Sequence, residues 1–182
     1  MYKWKEGFEP NICDIDEKCR YILGKEGKNT LICIGVNPSM ADKNKPDATM
    51  REILKIIEKN GYDSFIMINL YPLIKTNPNE LPNEKNDKIH KENLNKIEEI
   101  LNKYEKSDVL ACWGDLITKR AYLLECSKDI IELCEKYKTS FKYLSLSNKG
   151  NPTHPMRQFY NKGNYEISDF DEVAYLQKQF NK

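Results

Sequence analysis

The residue whose type and setting most clearly point to chemistry is Asn69, which interrupts the apolar run 65–70. In such a run an amide must find hydrogen-bond partners, because an unpaired buried polar group costs about 1–3 kcal/mol. An amide also presents an acceptor oxygen beside donor N–H groups, a pair that suits the edge of a nucleobase or of another planar amide. Asn69 is therefore a candidate ligand-binding residue, and capping of a neighbouring loop is its structural alternative.

A second amide, Asn37, follows the apolar run 31–36 and precedes Pro38 and Ser39. Proline fixes the turn, so the polar side chains on either side of it are held where the run ends. These three residues are candidates for ligand contact, although ordinary turn chemistry explains them as well.

The histidine with the clearest setting for chemistry is His154, in the glycine- and proline-bearing loop 150–155. An imidazole held in a rigid loop could donate a proton or stabilise an anion; a purely structural histidine is the alternative. His90, in contrast, is placed on the polar side of a helical pattern and is predicted to face solvent.

Trp113, Gly114, Asp42 and Arg51 are four further candidates for ligand contact. Trp113, followed by Gly114 at the end of an apolar run, could stack on a planar ligand or belong to the core. Arg51 could bind phosphate or pair with Asp42 or Asp47. No group of residues has the spacing of a metal site, and no phosphate-binding glycine loop or nucleophile elbow occurs.

The elements that must position these residues alternate between strand and helix. Four apolar runs predict buried strands at 31–36, 65–70, 108–112 and 141–145, with a long loop at 73–86. Helical patterns are predicted from residue 49 to a stop signal at 60–61 and from about 86 to 105. One or two further helices extend to about residue 138, and a short helix lies near the C-terminus. The alternation predicts a single α/β domain over 1–182, a three-layer sandwich around a mainly parallel four-stranded sheet. Ligands of such sheets bind beyond the carboxyl ends of the strands. Four predicted exit segments lie there: Asn37-Pro38-Ser39, Asn69, Trp113-Gly114 and His154-Pro155.

The composition restricts the partners. The 182 residues include 29 basic and 28 acidic side chains, so any site for a polyanion must be local rather than spread over the surface. No apolar stretch has the length of a signal peptide or membrane span, which predicts a cytoplasmic protein without a membrane partner. The six cysteines include no C-x-x-C pair and are predicted to be reduced thiols. No cofactor is expected.

The order of these motifs resembles the bacterial and archaeal family called domain of unknown function 1643, over about residues 19–160. The family usually has proline at the position of Ala48. The resemblance is carried by Cys19-Arg20-Tyr21, Gly35-x-Asn37-Pro38-Ser39-x-Ala41-Asp42, Asp47-Ala48-Thr49 with Arg51, Asn69-Leu70, Trp113-Gly114 and Gly150-x-Pro152-x-His154-Pro155.

The same order is similar, more loosely, to the uracil-DNA glycosylase superfamily. That resemblance implies that Asn37 positions the attacking water, Asn69 reads the flipped base and His154 stabilises the departing base. The His154 loop continues Pro155-Met156-Arg157, where the superfamily usually has a small polar residue and proline. Met156 or Arg157 would then be the residue that wedges into DNA. Cys13 and Cys19 do not reproduce the iron–sulfur spacing of some members, so no cluster is expected.

The sequence therefore leads to a uracil-DNA-glycosylase-like domain that binds a nucleobase-containing ligand, with DNA as one candidate, and hydrolyses the N-glycosidic bond of a modified or deaminated base. The alternative is a non-catalytic module that binds a nucleotide or nucleic acid. A purely structural interaction domain is a third possibility, but it would give no role to three polar residues that are predicted to lie together at the strand ends.

Overall fold

The fold is described by a computed structural model for residues 3–157 and 163–181. Its strands are β1 (Ile12–Ile15), β2 (Arg20–Lys25), β3 (Thr30–Gly35), β4 (Ser64–Asn69), β5 (Asp108–Ala111), β6 (Ser140–Tyr143) and β7 (Ser168–Asp169). Its helices are α1 (Ala48–Lys59), α2 (Asp87–Lys103), α3 (Tyr122–Lys136) and α4 (Glu172–Phe180). Short 3-10 helices cover Pro78–Glu80 and Gly114–Lys119.

The strands form one mixed sheet in the order β1-β2-β4-β3-β5-β6-β7. The pairs β3–β4, β3–β5 and β5–β6 are parallel, whereas β1–β2, β2–β4 and β6–β7 are antiparallel. The four predicted strands are all present, but the predicted four-stranded, mainly parallel sheet is wrong in size and in strand direction. Within the described residues the sheet has seven strands, and three of its six strand pairs are antiparallel. The strands that the prediction missed are either two residues long or carry charges, as Asp14 and Arg20 do, and so lack a continuous apolar run.

Two hydrophobic clusters lie against this sheet, one on each face. On β3, Ile32 and Ile34 belong to the cluster that includes residues of α2, α3 and α4, whereas Leu31 and Cys33 belong to the cluster that includes α1. Successive strand residues point to opposite faces, so a strand buried on both faces reads as an unbroken apolar run. This explains why the central strands could be recognised in the sequence.

The helices begin and end where local chemistry favours it. The Asp47 side chain accepts a hydrogen bond from the Met50 amide at 2.8 Å and so caps α1, which ends at Asn60 before Gly61. Asn86 caps α2 in the same way, through the amide of Ile89 at 3.1 Å. The cap at Asp47 fixes the start of α1 beside the carboxyl end of β3.

The prediction that His90 faces solvent is wrong. Its side chain is buried between helices, and Nε2 lies 2.8 Å from Asp129 Oδ2. The buried face of α2 continues from Ile97 through Asn93 to His90, and polarity alone does not reveal that its first turns are covered by α3. Burial of a polar helix face therefore depends on the partner helix.

The cysteines and the helices bear on two further predictions. All six cysteines are free thiols, and five of them are buried. No helix in the described part of the chain is both long enough and apolar enough to span a membrane.

Candidate functional site

A cavity of about 190 Å³ opens beyond the carboxyl ends of β3 and β4. It brings together three of the predicted residues, Asn37, Asn69 and His154, from three separate segments of the chain. Its walls come from β2, the β3 exit, the start of α1, β4, the loop after β4 and the His154 loop. The lining residues are Arg20, Gly35, Val36, Asn37, Ser39, Asp47, Thr49, Met50, Met67, Asn69, Lys75, Thr76, Pro78, Leu116 and His154.

Asn69 ends β4 and is only 1% exposed. Neither Oδ1 nor Nδ2 has a hydrogen-bond partner, whereas its backbone carbonyl accepts from Asn93 Nδ2 at 2.9 Å. A Cβ atom at Gly35 would lie 2.9 Å from Asn69 Oδ1, so the glycine provides the room that this amide occupies. The strand end is thus fixed, and the side chain keeps one acceptor and two donors uncommitted at the cavity.

Asn37 is held in one orientation by its own amide. Its Nδ2 donates to the backbone carbonyls of Lys75 at 2.7 Å and Pro38 at 3.1 Å. These bonds connect the β3 exit to the loop after β4. Within the described residues Oδ1 accepts no hydrogen bond, so the acceptor end of the amide remains for a ligand or a water.

His154 lines the same cavity as a neutral imidazole. Burial lowers its pKa below the usual value, and the negative charge of Asp47 opposes that shift only in part. The Met156 amide N–H donates to Nδ1 at 3.3 Å, which leaves the proton of the neutral ring on Nε2. Nε2 makes no hydrogen bond among the described residues and can therefore donate to a ligand.

The position of His154 is set by the β5 exit. The Gly114 amide donates to the Pro152 carbonyl at 2.9 Å, and Gly114 itself has a φ of +65°. A Cβ atom at Gly114 would lie 3.0 Å from the His154 Cβ. Glycine is therefore required here both by its backbone conformation and by the close approach of the loop.

A partly buried hydrogen-bond network holds that loop in place. Asp115 Oδ1 accepts from Ser147 Oγ at 2.6 Å and from Asn151 Nδ2 at 2.8 Å. Asn151 Oδ1 in turn accepts from Tyr175 of α4 at 3.0 Å, and the Trp113 indole N–H donates to the Tyr175 hydroxyl at 3.3 Å. Burial alone would raise the pKa of Asp115, but the hydrogen bonds from Ser147 and Asn151 outweigh it and lower the pKa.

Three charged residues of the cavity, Arg20, Asp47 and Lys75, were not assigned a binding role from the sequence. Arg20 on β2 is 3% exposed, donates from Nη1 to the Ala41 carbonyl and has a buried Nε without a partner. Burial lowers the pKa of its guanidinium, and the carboxylate of Asp47 opposes this shift. The signal was an arginine within the otherwise apolar segment 19–23, which was used only as part of the family pattern.

Six predicted ligand contacts do not line this cavity. Trp113 is fully buried, in agreement with its core alternative, and Gly114 positions His154. Asp42 is exposed and accepts hydrogen bonds from the amides of its own turn, at 2.7 and 2.9 Å. The remaining three are Pro38, whose carbonyl serves the Asn37 contact, Arg51, which is partly buried on α1, and Arg157, which is exposed. Ser39 does line the cavity.

The cavity has the groups to recognise a small planar polar ligand. It supplies an uncommitted amide, a fixed amide oxygen and a neutral imidazole donor, together with a buried guanidinium. Over residues 3–157 and 163–181, no three His, Cys, Asp or Glu side chains are grouped so that they could hold a metal ion. The chemistry that these side chains offer is hydrogen bonding and proton donation.

Comparison with known protein families finds a match. The profile of the family described as a protein of unknown function (DUF1643) matches residues 20–156, a range that contains every residue lining the cavity. No curated protein and no solved structure matches the chain.

Proposed function

The chain belongs to the DUF1643 family of proteins of unknown function, and we propose that its cavity binds a nucleobase-containing ligand and hydrolyses the N-glycosidic bond of a modified or deaminated base. The observation that carries the proposal is the Asn69 amide. Both of its polar atoms are buried without a partner at the wall of a cavity. A side chain that costs stability in this way is explained when a ligand supplies the missing hydrogen bonds.

Recognition follows from the chemistry of that amide. Its adjacent acceptor and donors match a ring that presents an N–H beside a carbonyl, as uracil and hypoxanthine do. A ligand without these groups leaves Asn69 unpaired, and a buried polar site rejects such analogues strongly. Asn69 therefore selects the base.

Hydrolysis requires a water molecule on the sugar side and a donor on the base side. Asn37 Oδ1 accepts a hydrogen bond from the water, whose oxygen bonds to the anomeric carbon as the C–N bond breaks. The electron pair of that bond leaves with the base, which takes up the proton that the attacking water loses. The Nε2–H of neutral His154 donates to the base oxygen on which the negative charge develops.

The dimensions and charge of the site agree with a small substrate. Pockets that bury drug-sized ligands have volumes of about 300–1,000 Å³, so a cavity of about 190 Å³ accommodates one ring and little more of the ligand. The net charge of +1 favours a nucleotide or a short single strand over long duplex DNA. The motif order of the uracil-DNA glycosylase superfamily supports the same proposal, including a glycosylase-like arrangement of sheet and helices. With DNA as substrate the activity would be one of base repair.

A non-catalytic binding module is the second candidate, and Asn37 favours it. Its Nδ2 hydrogen bonds to Lys75 and Pro38 already give this residue a structural role without any reacting water. In that case Asn69 and His154 would hold a base or nucleotide that the protein does not cleave.

The test is a base-release assay on single- and double-stranded oligonucleotides that contain uracil, hypoxanthine, xanthine or 5-hydroxymethyluracil. The proposal expects release from at least one substrate, a loss of about 10²–10⁴-fold in His154→Ala and a similar loss in Asn69→Leu. His90→Ala serves as the matched control because this histidine lies between helices, away from the cavity.

The two candidate functions give different results. Base release that both site variants lose and the control keeps supports the hydrolase. Tight binding of a substrate without release by the parent protein supports the binding module. Absence of both binding and release, with folding shown by circular dichroism, refutes the nucleobase proposal.

A further inference from the structure

Arg20 and Arg120 show two different uses of a guanidinium in this chain. Arg120 donates five hydrogen bonds to the backbone carbonyls of residues 79, 81, 82 and 119 and thereby fixes the loop before α2. Arg20, although far more buried, makes a single side-chain hydrogen bond, to the Ala41 carbonyl. Arg20 thus leaves its buried Nε without a hydrogen-bond partner, and among the described residues Nη2 makes no hydrogen bond.

The charge of Arg20 also lacks an ion-pair partner. Among the described residues no carboxylate oxygen lies within 4.0 Å of its guanidinium, although Asp47 and Asp42 are close enough to influence it. Each of these acids has an oxygen bound to backbone amides, Asp47 at the cap of α1 and Asp42 in its own turn. Burying an unpaired charge is costly, and proteins retain such groups where a partner completes them.

The surroundings of Arg20 suit an oxyanion. Arg20, Lys75 and Asp47 line the cavity together, and with His154 neutral the walls carry one excess positive charge. Ser39, Thr49 and Thr76 place hydroxyl groups in the same walls. A planar guanidinium with free N–H groups matches the geometry of phosphate oxygens.

We propose that Arg20 binds a phosphate group of the ligand whose base contacts Asn69, so that the site takes a nucleotide rather than a free base or nucleoside. This inference rests on the proposed function for the identity of the base, and on Arg20 alone for the phosphate. The phosphate has two possible sources, a nucleoside monophosphate or a phosphodiester beside the base in a single strand. Both present the same oxygens to Arg20.

The experiment is isothermal titration calorimetry of the parent protein, Arg20→Gln and Arg120→Gln. The probes are inorganic phosphate, deoxyuridine and deoxyinosine, their 5′-monophosphates, and trinucleotides with the same central base. A charge-assisted contact predicts that the phosphorylated probe binds the parent about 10- to 100-fold more tightly than its nucleoside. This preference should fall to under about threefold in Arg20→Gln and persist in Arg120→Gln. The nucleoside itself should bind the parent and Arg20→Gln equally.

The different probes and variants test the role of Arg20 separately from the proposed function on which this inference rests. Equal affinity of the parent for nucleoside and monophosphate overturns the role of Arg20 and leaves the nucleobase proposal standing. Binding of inorganic phosphate that requires Arg20, without binding of any nucleoside or nucleotide, supports the anion site and refutes the nucleobase. If Arg20→Gln does not fold, Lys75→Gln separates the two cations of the cavity. A phosphate preference that survives in Lys75→Gln supports Arg20, and one that is lost there overturns its role. Preference for the trinucleotide over the monophosphate identifies the phosphodiester as the source.

Discussion

Replacing Asn69 with leucine is expected to stabilise the protein while abolishing ligand recognition. Both polar atoms of the Asn69 side chain are buried and unpartnered, and each such group costs about 1–3 kcal/mol. Leucine has the same branched shape without polar atoms, and it keeps the space beside Gly35 filled. Allowing for imperfect packing, we expect the free energy of unfolding to rise by about 1–3 kcal/mol, or roughly 2–4 °C in Tm per kcal/mol for a chain of this size.

Asn151 provides the matched control. It is also 1% exposed, but both ends of its amide are used, by Asp115 at 2.8 Å and by Tyr175 at 3.0 Å. Leucine at this position removes two hydrogen bonds, one of them to a carboxylate, and should lower the free energy of unfolding by about 2–4 kcal/mol. The same substitution thus has opposite signs at two equally buried asparagines.

Urea denaturation followed by circular dichroism measures both effects, and calorimetric titration of deoxyuridine 5′-monophosphate measures binding. The reasoning requires a stabilised Asn69→Leu protein that no longer binds. A loss of more than about 1 kcal/mol in Asn69→Leu would show that the amide serves the fold, and retained binding in that variant would refute its part in recognition.

Three further predictions concern neighbouring positions. Gly35→Ala places a Cβ atom 2.9 Å from Asn69 Oδ1 and 2.7 Å from Met67 Cε. It should therefore weaken nucleotide binding at least tenfold, measured by titration, and lower the free energy of unfolding by about 1–3 kcal/mol, measured by denaturation. Unchanged binding would contradict the contact assigned to Asn69. Gly114→Ala puts a Cβ atom on a residue of positive φ, 3.0 Å from the Cβ atom of His154. It should lower the free energy of unfolding by about 1–3 kcal/mol and abolish base release. Full activity would show that Gly114 does not position His154 for the reaction. Burial lowers the folded-state pKa of His154, so the unfolded chain takes up the proton first, and the free energy of unfolding should fall as the pH decreases from about 6.5 toward the lower folded pKa. His154→Gln should lose this part of the pH dependence in urea titrations. An identical pH profile in the variant would count against the lowered pKa of His154.

The sequence allowed the central strands, and the meeting of three candidate residues beyond their ends, to be predicted because both depend on local patterns. The run 31–36 is apolar throughout, and Asn69 stands out because it is the polar exception in its own run. The carboxyl ends of neighbouring parallel strands meet at one edge, so a topological rule was sufficient to bring Asn37, Asn69 and His154 together.

The rest depended on contacts between distant segments. Arg20 belongs to a strand that pairs antiparallel with β4, and its position in the cavity follows from that pairing rather than from its neighbours in sequence. The Asp115 network required knowledge of where Tyr175 of α4 packs. Trp113 shows the same limit, since an aromatic residue at a strand end is compatible with both a ligand contact and a core position until the covering helix is known.

The Tyr175 contact also determines how the protein should be divided for experiments. The family match ends at residue 156, and a fragment cut there would appear complete because it keeps every residue of the cavity. It would nevertheless lack the hydroxyl that holds Asn151 and accepts from Trp113. We expect such a fragment to retain strands β1 to β6 yet leave the His154 loop poorly positioned. Inactivity of the shortened chain would therefore say nothing about the function of the whole.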